Sequence, residues 1–127
     1  MLDHVSVNVS DVARSRAFYE AALAPLGYRA LMEPVPGIVG FFPPRDESGA
    51  VGSFWVTNRV PLSAGHIAFT APDRATVDAF HRAAVDAGGT DNGPPGPRPI
   101  YHEHYYSAFV LDPDGINVEA VCHRPEG

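Results

Sequence analysis

Three side chains of this sequence could meet around one ion: His4, His66 and Glu119. His4 lies in Asp3-His4-Val5-Ser6-Val7-Asn8-Val9 and His66 in Gly65-His66-Ile67-Ala68-Phe69-Thr70-Ala71. Both stretches alternate with period two, so each histidine sits on the face opposite the valines, or opposite the isoleucine and phenylalanine. Glu119 lies in the strand pattern Ile116 to Cys122. Alternation there groups Asn117, Glu119 and Val121 on one face and Ile116, Val118, Ala120 and Cys122 on the other. A carboxylate between Val118 and Ala120 is costly to bury without a metal, a cation or a proton to compensate it. If the three strands line one concavity, two imidazoles and a carboxylate make a facial set that leaves positions open for water and substrate. An ion pair with an arginine such as Arg98 is the structural alternative for Glu119.

A second group with chemical potential is Tyr101-His102-Glu103-His104-Tyr105-Tyr106, after a proline-rich loop. Imidazoles and phenols at a loop-to-strand junction could supply a general acid or base and a hydrogen bond to an oxyanion. Of His102, His104, Tyr105 and Tyr106, the choice for the catalytic role falls on His102 and Tyr105. A one-residue shift of register would reverse their faces. Phe54 and Trp55, with Asn117, are expected to line the substrate pocket as a wall for a planar or apolar molecule. Trp55 also reads as a core residue. Asp112-Pro113-Asp114-Gly115 reads as a turn, Cys122 as an inert core thiol, and His81 and His123 as exposed residues without a role.

The elements that must position these groups come in two copies. Sliding the chain on itself by the 62 positions that separate His4 from His66 also matches Asp11 to Asp73, Ala17 to Ala79, Phe18 to Phe80 and Gly27 to Gly89. No gap is needed, which marks an internal duplication. In the first copy a strand leads through the N-cap Ser10-Asp11 to a helix over Val12 to Ala24, with Phe18, Ala22 and Leu23 inward. Pro25 and Gly27 end it. Strands follow at Tyr28 to Glu33, Ile38 to Phe42 and Gly52 to Asn58. In the second copy the strand from His66 leads to a helix capped by Asp73 and stopped by Gly88-Gly89, with Val77, Phe80 and Ala84 inward. A short strand near Thr90, a loop over Gly93 to Pro99, and strands Tyr105 to Leu111 and Ile116 to Cys122 complete it. The expected fold is α+β: two tandem βαβββ modules, repeats 1–60 and 64–122 of a single domain 1–127, whose curved mixed sheets surround a central cavity.

Composition narrows the partners. At 127 residues one domain is expected, and a buried site of useful size calls for two copies to share it, so a homodimer is predicted. A formal charge of −6 gives no basic footprint for nucleic acid, and no apolar run is long enough to span a membrane. All nine basic residues are arginine, which excludes a Schiff-base or P-loop lysine, and with no GxxxxGK no nucleotide cofactor is expected. A single cysteine and the absence of a leader pattern point to a cytoplasmic protein without disulfides. The partner is then a small molecule.

With these motifs the sequence resembles the vicinal oxygen chelate superfamily, which includes glyoxalases, extradiol dioxygenases, fosfomycin-resistance thiol transferases and bleomycin-binding proteins. The resemblance rests on the His4 strand followed by Ser10-Asp11 and a helix carrying Phe18-Tyr19, on Gly65-His66-Ile67-Ala68-Phe69, and on Asp112-Pro113-Asp114-Gly115 before Asn117-Val118-Glu119. It implies paired modules around a divalent metal, Fe(II), Mn(II), Ni(II) or Zn(II), with His4, His66 and Glu119 at ligand positions. The fourth position departs. Aligning Gly52 with Gly115 puts Val56 opposite Glu119, and nothing from Gly52 to Arg59 is Asp, Glu or His. In glyoxalase I that strand supplies a carboxylate beside the metal, so the resemblance favours dioxygenase-type or thiol-transferase-type chemistry over glyoxalase I. A metal-free binding protein of the bleomycin-resistance type is the alternative.

Overall fold

The computed structural model describes residues 2–44 and 52–126. Among the described residues eight strands and two α-helices follow one another as β1 (His4–Asn8), α1 (Val12–Leu23), β2 (Arg29–Val35), β3 (Ile38–Phe42), β4 (Ser53–Thr57), β5 (His66–Thr70), α2 (Arg74–Asp86), β6 (Thr90–Pro97), β7 (Tyr106–Leu111) and β8 (Asn117–Cys122). They form two four-stranded mixed sheets of matching order, β1-β4-β3-β2 and β5-β8-β7-β6. The fold is therefore α+β, two βαβββ modules, as the duplication predicts.

Each helix starts where a carboxylate can take an orphan backbone N–H. Asp11 accepts from the Arg14 N–H at 3.1 Å, and Asp73, the residue matched to it, accepts from the Thr76 N–H at 2.7 Å. The same bonds, with the Thr76 hydroxyl first among them, hold the Asp73 carboxyl below the ordinary aspartate range. After Leu23 the chain tightens into a 3₁₀ turn over Ala24–Leu26, which Pro25 can join without breaking a bond. Gly27 then turns at φ +84°, where a Cβ would stand 2.6 Å from Pro44 Cγ.

Helix α1 buries Phe18, Tyr19, Ala22 and Leu23, and α2 buries Val77, Phe80 and Ala84. The core face of the strands supplies Val7, Val39, Phe41, Phe54, Val56, Phe69, Ala108, Val110, Val118 and Ala120, all in one continuous cluster. Phe69 of β5 joins the modules by packing edge-on against Tyr28 and Phe54, with ring centroids 5.3 and 5.5 Å apart.

The turn Asp112 to Gly115 does more than reverse the chain. Asp112 is 4% exposed and accepts the Tyr19 hydroxyl at 2.6 Å on one oxygen, and the N–H groups of Asp114 and Ile116 on the other. Asp114 accepts from the Ser10 hydroxyl at 2.5 Å and lies 3.7 Å from the Arg14 guanidinium. A turn of the second module is thus clasped to the first helix.

Strand β6 departs from expectation. It runs through Pro94, Pro95 and Pro97, where a loop is predicted. The reason is its place at the outer edge of its sheet, where an absent N–H leaves no ladder bond unmade. Two register shifts, between Asp91 and Gly93 and between Gly93 and Gly96, absorb the misfit.

Candidate functional site

Strand pairing sets the face on which the chemistry can occur. In the parallel ladder of β5 and β8, His66 stands beside Asn117 and Ala68 beside Glu119, and in the antiparallel ladder of β7 and β8, Phe109 stands beside Glu119. His66, Asn117, Glu119 and Phe109 therefore share the face opposite Val110, Val118 and Ala120, which belong to one core cluster with Val77, Phe80 and Ala84 of α2.

Glu119 is 1% exposed and has two partners. One oxygen lies 2.8 Å from His66 Nε2, and the other accepts the Tyr105 hydroxyl at 2.5 Å. Burial first, then the bond to Glu119, raises the Tyr105 phenol well above its ordinary range, so at neutral pH it is a donor and not a phenolate base. Among the described residues no guanidinium reaches Glu119 within ion-pairing distance, so the expected alternative with Arg98 is not formed. The His66 ring is half exposed, leaving one side of the pair open to a ligand.

His4 stands apart. It shares its face with Ser6, Asn8, Trp55 and Thr57, is 58% exposed, and bonds through Nδ1 to Asp3 at 2.8 Å. Among the described residues no group of three His, Cys, Asp or Glu side chains is gathered closely enough to hold a metal. One chain therefore brings His66 and Glu119 together and leaves His4 on the other sheet. Both histidines border a cleft of about 570 Å³ between β1 and β5, the open edges of the two sheets.

The remaining expected site residues divide in the same way. Phe54 and Trp55 cannot line one pocket side by side, because neighbours in a strand face opposite ways. Phe54 is 2% exposed and packs in the core against Tyr19 and Phe69, although it also reaches the cleft. Trp55 is on the His4 face and not in the core. Its ring lies over Gly40, where a Cβ would come within 2.7 Å of it, and with His4, Ser6 and Arg59 it lines a hollow of about 240 Å³. Asn117 is on the His66 face and accepts from the Asn92 amide at 3.3 Å. His102 does not touch the His66 and Glu119 pair. Its Nε2 meets His123 Nδ1 at 2.9 Å, and both rings pack against the Tyr105 ring. His123, given no role in the sequence reading, is thus part of the packing around Tyr105, and so is His102. Alternation continued from Glu119 over four residues leads to His123, one residue beyond β8, a signal that the end of the strand pattern at Cys122 concealed. His81 likewise has a partner, Asp91 at 2.8 Å.

The fold is that of a known superfamily. The chain belongs to the glyoxalase/bleomycin resistance protein/dioxygenase superfamily, whose model matches residues 1–120. It is similar to a glyoxalase/bleomycin resistance protein from Albidiferax ferrireducens T118, with 32% identity, a TM-score of 0.80 and coverage of 98% of this chain and 99% of that one. A glyoxalase I mutant from Zea mays is 27% identical at a TM-score of 0.64, covering 94% of this chain and 46% of that larger one. A lactoylglutathione lyase from Agrobacterium tumefaciens shares the fold at 19% identity and a TM-score of 0.68, with 96% and 92% coverage. No curated protein matches the chain.

Proposed function

We propose that this protein is a divalent-metal-dependent enzyme that acts on a small oxygenated molecule, with His66, Glu119 and His4 as the protein ligands. The observation that carries the reading is Glu119: a carboxylate 1% exposed whose partners are one imidazole and one phenol, with no guanidinium in ion-pairing distance among the described residues. Burial on those terms is unfavourable unless a positive charge compensates it. The donor set fits a metal. His66 Nε2 and Glu119 Oε1 are 2.8 Å apart, about the separation of two ligand atoms that each lie roughly 2.1 Å from one ion. The ion would be Fe(II), Mn(II), Ni(II) or Zn(II), which imidazole and carboxylate suit.

His4 completes the set from a second copy in this reading, because within one chain it does not join the other two. Open edges on β1 and β5, flanked by exposed Leu2 and Leu62, support a homodimer that pairs the first module of one copy with the second of its partner. What the ion supplies when bound is Lewis acidity toward a ligand's oxygen atoms. Tyr105 donates a hydrogen bond to Glu119, which fixes the carboxylate's orientation and leaves its other oxygen to the His66 side. His102 and His123 hold the Tyr105 ring in place. Trp55 and Asn117 border the substrate, and Phe54 supports the wall from the core.

No acidic side chain or histidine lies in β4, so the proton transfer of glyoxalase I lacks its base and dioxygenase-type or thiol-transferase-type chemistry is favoured. A buried free thiol at Cys122 supports a reducing, cytoplasmic setting. The absence of a three-ligand cluster within the described residues of one chain favours a second reading, a metal-free small-molecule binder. Metal analysis after chelation and reloading separates the two. About one equivalent per active site is expected, and under about a tenth would sink the enzyme reading.

A further inference from the structure

Arg98 has no part in the metal reading, and its surroundings single it out. Its backbone N–H donates to the Tyr105 carbonyl, so Arg98 and Tyr105 lie side by side on the face that carries Glu119 and His66. The guanidinium carbon stands 5.4 Å from the Phe109 ring centroid, and the His66 ring centroid lies 5.8 Å from that same centroid. Phe109 thus neighbours both a cation and the proposed ligand imidazole. Gly93 makes room for that cation and Gly96 borders it. A Cβ at Gly93 would come within 3.2 Å of Arg98 Nη2, and one at Gly96 within 3.8 Å of Nη1. The Pro94 carbonyl accepts from Nη2 at 2.7 Å and fixes the plane of the group.

A guanidinium carries five N–H donors, and among the described residues this one places a single side-chain bond and pairs with no carboxylate within 4 Å. Stacking on an aromatic ring leaves its edge free for a bidentate acceptor. Two acids of the same sheet are otherwise engaged: Glu119 by His66 and Tyr105, Asp91 by His81 and the Gly93 N–H.

We infer that Arg98 is the anchor for the carboxylate of a small planar organic acid, whose body lies on Phe109 and whose other oxygens reach toward His66 and Glu119. The orientation of that acid rests on the proposed metal site. Anchoring itself does not, since Arg98 is placed by the Tyr105 and Pro94 carbonyls and by Phe109, none of them a proposed ligand.

The test is therefore run on chelator-treated protein with benzoate as probe and benzamide as its neutral counterpart, by calorimetry or ligand-observed NMR. Benzoate is expected to bind wild type at least tenfold more tightly than benzamide does. Arg98→Gln, which keeps a donor for the Pro94 carbonyl but removes the charge, should weaken benzoate at least tenfold and leave benzamide unchanged. Arg82→Ala, the same charge loss at an exposed site on α2, should change neither. The melting temperature of Arg98→Gln checks that the fold persists, and Arg98→Lys, which keeps the charge without the fork, should fall between the two. Equal binding of benzoate by wild type and Arg98→Gln, or no discrimination between the two probes, would overturn the assignment. Metal content is measured on the same preparations, so loss of the metal reading and loss of the anchor are seen separately.

Discussion

Replacing Glu119 by glutamine tests the site at its centre. The amide keeps the shape of a side chain that is 1% exposed but removes its charge. In chelator two opposing effects follow. The contacts with His66 at 2.8 Å and Tyr105 at 2.5 Å change from charge-assisted to neutral, a loss of about 1–3 kcal/mol over the pair. Relief of carboxylate desolvation returns about 1–3 kcal/mol. The net is near zero, so the melting temperature should move by less than about 5 °C. Added metal separates the proteins. At a free concentration a hundred times its dissociation constant, an ion stabilises wild type by about 2.7 kcal/mol, on the order of 10 °C, and Glu119→Gln should lose most of that shift. The assay is thermal unfolding of both proteins in chelator and in a metal series. A drop of about 3–5 kcal/mol in chelator, as when a buried ion pair is broken, with no metal-dependent shift of wild type, would refute the reasoning.

Other perturbations probe other links. Tyr19→Phe leaves one oxygen of the buried Asp112 without its donor and should lower stability by about 1.5–3 kcal/mol in a denaturant titration, with no change in metal binding. Mixing His4→Ala with Glu119→Ala protein should restore some metal binding if sites are shared between copies; verified heterodimers that bind none would place each site within one chain. The Tyr106 phenol is pushed up to about 12, by burial first and then by its bond to Asp78, so the folded state holds that proton more tightly than the unfolded chain does at about 10. Its contribution is complete below pH 10 and lost as pH rises toward 12, and Tyr106→Phe should show a shallower fall of melting temperature across that window than wild type.

What could be read in the sequence was periodic and repeated. The offset relating His4 to His66 also relates Asp11 to Asp73, and both aspartates cap helices because the same orphan N–H groups recur in each copy. The alternation around Glu119 sufficed to place it with Asn117, opposite Val118 and Ala120. What escaped depended on partners distant in sequence. Pro94, Pro95 and Pro97 signal a loop locally, and only the position of β6 at a sheet edge lets them lie in a strand. Phe54 and Trp55 share aromatic character, but the pleat turns them to opposite faces. Asp112 looked like turn chemistry, and its bond to Tyr19 spans 93 residues.

That span bears on the order of folding. Closing so long a loop is entropically unfavourable until the elements at its two ends are already shaped, so the Tyr19 to Asp112 contact belongs to the last steps of assembly and to the first steps of opening. The amides of Asp114 and Ile116, both held by Asp112, are then local reporters of that opening. In native-state hydrogen exchange they should lose protection ahead of Val118 in β8, and Tyr19→Phe should accelerate them while leaving Val56 in β4 unchanged.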